Sequence, residues 1–159
     1  STLKLPPEQL AKIYNFADVT INVSDAEGFG LSTLESLACE TPIIATMTGG
    51  LQEQVTDGEN WFGVGIEPAS KAIIGSQQIP WIYEDRVSGA DVVDALYKIY
   101  SMKPEEREEL GKAGRKHALD NYGFDQYVRL WDEILTEVHD KFGSWESRKG
   151  YSTWNLTEV

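Results

Sequence analysis

The chain has 159 residues, of which 41% are hydrophobic, and carries a formal net charge of −12. That length fits about one domain, and the charge argues against nucleic acid as a partner, because phosphate neutralisation requires clustered Lys and Arg. One cysteine, Cys39, and two histidines exclude an internal disulfide and argue against a Cys-rich or His-rich metal site. No apolar run approaches the roughly 18 residues of a membrane span. The composition therefore predicts a cytoplasmic protein, with peripheral membrane attachment left open.

The first half of the chain alternates between helical and strand patterns. Apolar periodicity predicts helices over residues 5–17, 31–39 and 51–55. Short runs rich in β-branched residues predict strands over residues 18–24, 41–46 and 60–66. Helices that alternate with strands in this way predict an α/β fold, with a Rossmann-like parallel sheet and helical crossovers.

Two of these helices have predicted apolar faces. The first helix carries Pro7 in its first turn, and its apolar face consists of Leu10, Ile13, Tyr14 and Ala17. The predicted core side of the second helix consists of Leu31, Leu34, Leu37 and Ala38.

After residue 87 the pattern changes to three successive helices, predicted over residues 88–102, 103–122 and 124–142. The middle helix has acids early and bases late, as the helix dipole favours, and a solvated surface explains its charges better than a binding site does. We therefore expect a partial Rossmann-like domain over residues 1–87, helices packed on it over residues 88–142, and a tail over residues 143–159.

One short segment, SDAEGFGLSTLE at residues 24–35, has the composition of a ligand site. It lies between a predicted strand and a predicted helix, and in parallel sheets ligands bind where strands end and helices begin. Gly28 and Gly30 lack a Cβ, so the backbone can turn sharply and present N–H groups to a phosphate at the helix N-terminus. A Cβ on Gly30 is expected to stand between that N-terminus and the phosphate.

The two glutamates of this segment suit hydroxyl groups better than phosphate. Glu35 lies in the second turn of the predicted helix, and helical side chains lean toward the N-terminus, so its carboxylate can reach back to the same ligand. Glu27 lies on the loop and could accept bonds from a second set of hydroxyls. A phosphate flanked by two polyols is what a nucleotide sugar presents. A Gly-x-Gly is a weak signal by itself, so Glu35 as a solvated helix residue and Glu27 as a helix N-terminal charge stay open.

The same residues resemble a known motif. EGFGLSTLE is similar to the E-x7-E motif of retaining glycosyltransferases of family four, which have the GT-B fold, and residues 8–57 resemble the family's usual passage from end to end. The resemblance implies that Glu35 holds the ribose hydroxyls of a nucleotide and that Glu27, the catalytic residue, lies by the donor sugar. It implies further donor contacts at Gly28, Phe29, Gly30, Leu31 and Ser32, and at Gly49 and Gly50 of a TGG loop.

The resemblance also implies a reaction and its partners. The whole enzyme would transfer a hexose from a nucleotide sugar, with retention of configuration, to an acceptor that is a glycan, a lipid or a small molecule. Neither a metal nor a cofactor besides the donor substrate is expected. The chain corresponds to the C-terminal half of a GT-B fold, and the N-terminal half of the same enzyme is an expected partner. The chain alone is expected to be inactive, and its exposed sheet edge favours self-association.

The distribution of charge also indicates that the chain needs a partner to bind a diphosphate. No Lys, Arg or His lies between Lys12 and Lys71, whereas that interval holds nine acids. A diphosphate would find backbone amides there but no cation. In the family, an Arg and Lys pair that precedes this segment serves the diphosphate. Arg86 is a remote candidate for the missing charge, although a structural role explains it better.

Three other functions remain as alternatives. They are a GT-B nucleotide-sugar epimerase or phosphorylase, a glycoside hydrolase with Glu27 and Glu35 as its acid and base, and a module that binds nucleotide sugars without turnover.

One position departs from the family, which often has glycine after the motif helix where this chain has Glu40. A left-handed residue there costs on the order of 1 kcal/mol, and the helix is therefore expected to end differently.

Overall fold

The computed structural model describes residues 4–147 and 149, and the chain divides into two compact units, Ser1–Asp120 and Asn121–Val159. The first unit contains, in chain order, α1 (Pro7–Phe16), β1 (Thr20–Asn22), α2 (Leu31–Ala38), β2 (Ile43–Thr46), α3 (Leu51–Val55), β3 (Val64–Ile66), β4 (Ser70–Ser76), β5 (Ile79–Arg86), α4 (Gly89–Ser101) and most of α5 (Pro104–Tyr122). Every helix and strand predicted over residues 5–66 is present, and the α/β prediction is confirmed.

The first three strands form a parallel sheet in the order β1-β2-β3, with Ile21 opposite Ile44 and Ile44 opposite Val64. All four residues of β2 are buried, as expected for a central strand covered on both faces. One face of the sheet packs in a cluster of Leu37, Ile43, Ala45, Leu51, Val55, Phe62 and Ala118. The other face packs in a cluster of Ile44, Val64, Ile66, Ala95 and Ile99. Helices α2, α3 and α5 therefore cover one face, and α4 covers the other.

Strand β1 lies at an edge of the sheet. Within the described residues it pairs with β2 alone, and the side chain of Ile21 is 45% exposed. A strand that is paired on one side only, and that carries an exposed apolar side chain, is a template for pairing with another chain. The expected self-association depends on this edge and stays a prediction.

The sequence analysis predicted no element between residues 67 and 87, and here it missed an antiparallel hairpin of β4 and β5. The two strands are joined at Gln77 and Gln78, which lack the Asn-Gly or Asp-Gly signature of a tight hairpin turn. The apolar and aromatic residues on either side were the available signal. The base of the hairpin contacts the first sheet's loops, because Asp85 N donates to Asp25 O at 2.8 Å.

The inner face of α2 differs from the prediction. Leu37 is buried as expected, but Leu31 is 68% exposed, and Thr33 and Ser36 are fully buried in its place. Each hydroxyl has a partner on a neighbouring segment: Asn22 Nδ2 donates to Thr33 Oγ1 at 3.2 Å, and Ser36 Oγ donates to Thr41 O at 2.9 Å. Small hydroxyl side chains let the helix approach the sheet closely while their polar atoms stay bonded. An apolar-periodicity argument passes over such residues.

Helix α5 has a charged outer face, as predicted, and an inner face that the charge pattern concealed. Gly111, Gly114, His117 and Ala118 are buried. The imidazole of His117 stacks on Phe62 with ring centroids 4.0 Å apart, and its Nε2 donates to Glu53 O at 2.8 Å. These contacts hold α5 against α3 and the segment before β3.

The end of α2 corrects one expectation. Glu40 adopts φ 61°, so a left-handed residue does end the helix. Glu40 N donates to Leu37 O, and Thr41 N donates to Ser36 O, both at 3.0 Å, which is the Schellman pattern of hydrogen bonds. Gly111 allows the close approach of α5 here, since a Cβ on it would lie 2.0 Å from Glu40 O. Arg115 adds a hydrogen bond to Ala38 O.

The second unit contains α6 (Phe124–Phe142), as predicted, with an aromatic row on one side. Ring centroids of Phe124 and Tyr127 are 6.4 Å apart, and those of Tyr127 and Trp131 are 6.2 Å apart. The predicted limits at residues 87 and 142 stay predictions, and most of the predicted tail lies outside the described residues. None of the helices in the described ranges combines the length and hydropathy that a bilayer crossing requires.

We predict that Glu40→Gly unfolds with a free energy about 1 kcal/mol higher than Glu40→Gln, because glycine adopts positive φ without the penalty of a Cβ. Both variants lose the ion pair in which Arg115 Nε lies 3.6 Å from Glu40 Oε1, so their difference isolates the backbone contribution. Urea denaturation measures it. Equal or lower stability of the glycine variant would contradict the left-handed helix end.

Candidate functional site

Two loops meet at the carboxyl ends of β1 and β2. The first, residues 24–30, is called the elbow, and the second, Thr48–Gly50, is called the glycine loop. Gly50 N donates to Gly28 O at 3.2 Å across the gap between them. Because β1 and β2 are parallel neighbours, their following loops emerge at the same edge of the sheet, where ligands bind in folds of this type.

The contact between the loops leaves no room for side chains at Gly49 and Gly50. A Cβ on Gly49, whose φ is +49°, would lie 1.7 Å from Glu27 O. A Cβ on Gly50 would lie 2.8 Å from both Gly28 O and Phe29 O. Gly49 and Gly50 therefore allow the close approach of the elbow's backbone, and the donor-binding role predicted for them stays a prediction.

A buried glutamine also supports the elbow. Gln54 is fully buried on α3, and its Nε2 donates to Phe29 O at 2.6 Å. Its Oε1 has no hydrogen-bond partner in the described part of the chain. The sequence analysis missed Gln54, although a polar residue beside the buried Leu51 and Val55 of a short helix was a signal that it bonds inward.

The surroundings of Gly30 differ from those expected. It is buried, with φ 89° and ψ 60°, and forms the N-cap of α2. A Cβ there would lie 2.4 Å from Leu51 Cδ2. The structure thus gives a Cβ on Gly30 an overlap with Leu51, and the expectation that it also blocks a phosphate stays a prediction. By contrast, a Cβ on Gly28 would meet nothing within 4 Å.

The other predicted site residues lie at the surface. Leu31, Ser32 and Glu35 are exposed, on the part of α2 that does not face the core. Phe29 is 45% exposed, and Glu27 is half-buried. The structure thus places the start of α2 and the glycine-lined elbow at one edge of the sheet, with Glu27 on the elbow and Glu35 in the second turn of α2. The roles assigned to these residues stay predictions.

Glu35 has a partner that the sequence did not indicate. Tyr14 Oη donates to Glu35 Oε2 at 2.8 Å. Burial, and then the hydrogen bond to Glu35, raises the pKa of Tyr14 to about 12. Tyr14 therefore keeps its proton at neutral pH and remains a donor. The sequence analysis placed this tyrosine on an apolar face of α1 and did not anticipate a polar role.

Arg86 lies beside the elbow in the fold despite its distance in sequence. Its Nη1 is 3.1 Å from Asp25 Oδ2, and its Nη2 is 3.0 Å from Glu84 Oε2. The contact with Asp25 ties the hairpin to the elbow, and the contact with Glu84 lies within β5. Within the described ranges, no group of three or more His, Cys, Asp and Glu side chains is arranged to hold a metal ion.

A separate groove lies elsewhere on the molecule. It has a volume of about 780 Å³ and lies between the start of β1 and helix α4, where Asp18, Val19, Leu96 and Tyr100 are among its lining residues. Asp18 and Val19 precede β1 at its amino end, whereas the elbow follows its carboxyl end. Position in the sheet and backbone geometry favour the elbow as the candidate site, and the groove reflects the open edge beside β1.

Known proteins are similar to this chain in sequence and in fold. The family model described as Glycosyl transferases group 1 matches residues 2–117. A D-inositol 3-phosphate glycosyltransferase from Thermomonospora curvata is 44% identical over 135 residues, which cover 85% of this chain and 26% of that protein. The chain thus spans about a quarter of the length of this curated relative.

Two solved structures are also similar. Sucrose-phosphate synthase from Thermosynechococcus elongatus has a TM-score of 0.62 and 26% identity, covering 84% of this chain and 29% of that one. The C-terminal domain of a glycosyl transferase group 1 family protein from Francisella tularensis has a TM-score of 0.53 and 26% identity. That match covers 78% of this chain and 53% of the solved one.

We predict that Gly30→Ala destabilises the fold more than Gly58→Ala. Both glycines have positive φ, but only a Cβ on Gly30 meets another atom. The shared backbone strain costs about 1–2 kcal/mol, and overlap with Leu51 adds about 1–3 kcal/mol to Gly30→Ala. Chemical denaturation measures both variants. Equal losses would show that Leu51 does not occupy the space beneath the elbow.

Proposed function

The chain belongs to the glycosyl transferases group 1 family and has the fold of GT-B glycosyltransferases, and from this premise we propose that it is the donor-binding part of a retaining hexosyltransferase. The whole enzyme would take a hexose from a nucleotide sugar and pass it to an acceptor with its configuration retained. The proposal includes the E-x7-E roles of Glu27 and Glu35, chemistry without a metal or an added cofactor, and a cytoplasmic location.

The observation that carries the proposal is the interlocking of the elbow and the glycine loop. Backbone contacts at Gly49 and Gly50 and the bond from Gln54 to Phe29 O hold the elbow in one conformation. A preorganised backbone binds a ligand without the entropy cost of ordering a loop. Its exposed surface offers the N-terminus of α2, which suits a phosphate because unpaired N–H groups and the helix dipole both favour an anion.

Glu35 would accept hydrogen bonds from the ribose hydroxyls. Its carboxylate is exposed and is bonded to a donor, the Tyr14 hydroxyl, at 2.8 Å. The observed bond therefore uses Glu35 as an acceptor, which is the role that hydroxyl groups require. The hydrolase alternative would use Glu35 as an acid or as a base, and a base also accepts hydrogen bonds, so hydrolysis of an aryl glycoside without any nucleotide is the test of that alternative.

Glu27 would act beside the donor sugar. It lies on the elbow ahead of Gly28, and its backbone carbonyl rests against the glycine loop. That contact fixes the position of its backbone, and the residue is half-buried. In this proposal Glu27 orients the sugar for transfer, and the N-terminus of α2 stabilises the charge of the departing diphosphate.

The charge of the diphosphate requires cations from outside the chain. Arg86 reaches the elbow but is already paired with Asp25 and Glu84. The acids of the interval from Lys12 to Lys71 make the surroundings of the site repulsive to an anion. We therefore propose that the N-terminal half of the same enzyme supplies positive charge and closes the cleft.

The acceptor is proposed as a glycan, a lipid or a small molecule. The curated relative is named for D-inositol 3-phosphate, so a phosphorylated inositol is the first compound to assay. An acceptor-dependent product separates the transferase from an epimerase or phosphorylase, and turnover of any kind separates it from a module that only binds.

We predict that Glu35→Ala in the full-length protein weakens binding of the free nucleotide by about 1–3 kcal/mol, the range for a hydrogen bond to a charged group. Calorimetry measures the affinity. Glu59→Ala is the matched control, because it removes an exposed acid from the same acid-rich interval without touching α2. Unchanged affinity in Glu35→Ala, or an equal change in both variants, would contradict the ribose assignment.

We predict that Glu27→Gln reduces turnover more than it reduces nucleotide affinity. The change keeps the shape of the side chain and removes its charge beside the sugar, where the interaction is needed in the transition state. Steady-state kinetics and calorimetry on the same preparation give the two quantities. Equal losses in both would end the proposed division of roles between Glu27 and Glu35.

We predict that the 159-residue chain alone does not transfer sugar and binds nucleotide sugars weakly, because its helix N-terminus offers only about 0.3–1 kcal/mol of favourable charge interaction. The test compares it with the full-length protein across several nucleotide sugars. Robust turnover by the short chain would show that the required cations lie within it.

A further inference from the structure

We propose that Tyr14 is a positioning residue for Glu35. The Tyr14 hydroxyl holds one carboxylate oxygen of Glu35, so that the other oxygen faces the ribose hydroxyls of the donor nucleotide. The inference rests on the proposed function. It starts from the bond in which Tyr14 Oη donates to Glu35 Oε2 at 2.8 Å, between residues that are 21 positions apart. The bond joins α1 to α2 at the exposed surface of the candidate site.

The backbone of Tyr14 is anchored. Thr41, which is 3% exposed, donates from its Oγ1 to Tyr14 O at 2.9 Å. The carbonyl of Thr41 accepts a bond from Ser36 Oγ at 2.9 Å, and Ser36 is fully buried on α2. A chain of hydrogen bonds thus connects the end of α1 to the core side of the helix that carries Glu35.

Without the bond to Tyr14, the exposed side chain of Glu35 would be free to change rotamer. It is exposed on α2 and has three rotatable side-chain bonds, whereas a tyrosine ring is set by two. A glutamate that samples several rotamers must be ordered when a ligand binds, and that ordering lowers affinity. The anchored Tyr14 holds the carboxylate before the nucleotide arrives.

The bond does not use up the carboxylate. An ionised carboxylate has two oxygens with about four acceptor sites, and Tyr14 occupies one site on Oε2. Enough sites remain for two neighbouring ribose hydroxyls. If Tyr14 instead blocked Glu35, its removal would strengthen nucleotide binding, which is the opposite of the effect that the positioning role requires.

The test is Tyr14→Phe in the full-length protein, which keeps the ring and removes the hydroxyl. The probes are the nucleoside diphosphate that the wild type binds best and its 2′,3′-dideoxy analogue. We expect the dissociation constant of the first to rise about fivefold to tenfold and that of the analogue to stay unchanged. The donor KM should rise with kcat preserved, since the lost interaction is made equally in the ground and transition states.

Tyr100→Phe is the matched control, because it removes a hydroxyl from a tyrosine that is 82% exposed on α4. It should change neither affinity. In a Glu35→Ala background, Tyr14→Phe should add no further loss, because the group that it positions is gone.

Three results would overturn the proposal. Equal loss with both probes would assign Tyr14 a structural role, tighter binding would make it a block, and no change would remove it from the site. If the wild type binds no nucleoside diphosphate, or Glu35→Ala has no effect, the proposed function fails as well. Both of these results come from proteins that keep Tyr14. Failure of the proposed function is therefore distinguishable from failure of the Tyr14 proposal.

Discussion

The candidate site depends on backbone packed directly against backbone. The loops after β1 and β2 approach so closely that a Cβ on Gly49 would overlap Glu27 O. Gln54 fastens the elbow from beneath through Phe29 O, and Leu51 fills the space under Gly30. Because these contacts use the inner side of the elbow, its outer side and the start of α2 remain available to a ligand. Fixed geometry of this kind is what binding through backbone amides requires.

Local sequence patterns predicted the elements of the parallel sheet well, because β-branched runs and helical periodicity are read within a few residues. Contacts between distant segments were not predictable in the same way. Thr33 and Ser36 replace Leu31 on the inner face of α2, since their hydroxyls bond to Asn22 and Thr41 O. Glu40 keeps the left-handed helix end because α5 packs on it at Gly111. Tyr14 looked apolar until its hydroxyl met Glu35.

The site residues show the same division. Glu27 and Glu35 were identified from a motif, and the structure places Glu27 on the elbow and Glu35 on α2, the helix that follows it. The different surroundings of the glycines become visible only in the folded structure. Neighbouring atoms leave no space for a Cβ at Gly30 or Gly49, but no atom of the described residues lies within 4 Å of a Cβ at position 28. Arg86, distant in sequence, reaches the elbow through the unpredicted hairpin and is neutralised there by Asp25 and Glu84. The chain therefore shapes a site for an anion without supplying its charge.

The central claim, that the elbow is shaped for a ligand, is tested most directly by Gly28→Ala in the full-length protein. The free energy of unfolding should change by less than about 1 kcal/mol, since the added methyl group enters open space. The dissociation constant for the nucleotide sugar should rise at least about tenfold, because the methyl group stands where the ligand approaches the backbone. Gly89→Ala, whose Cβ also meets nothing within 4 Å among the described residues, is the control and should leave the donor affinity unchanged. Unchanged donor affinity in Gly28→Ala would contradict the account.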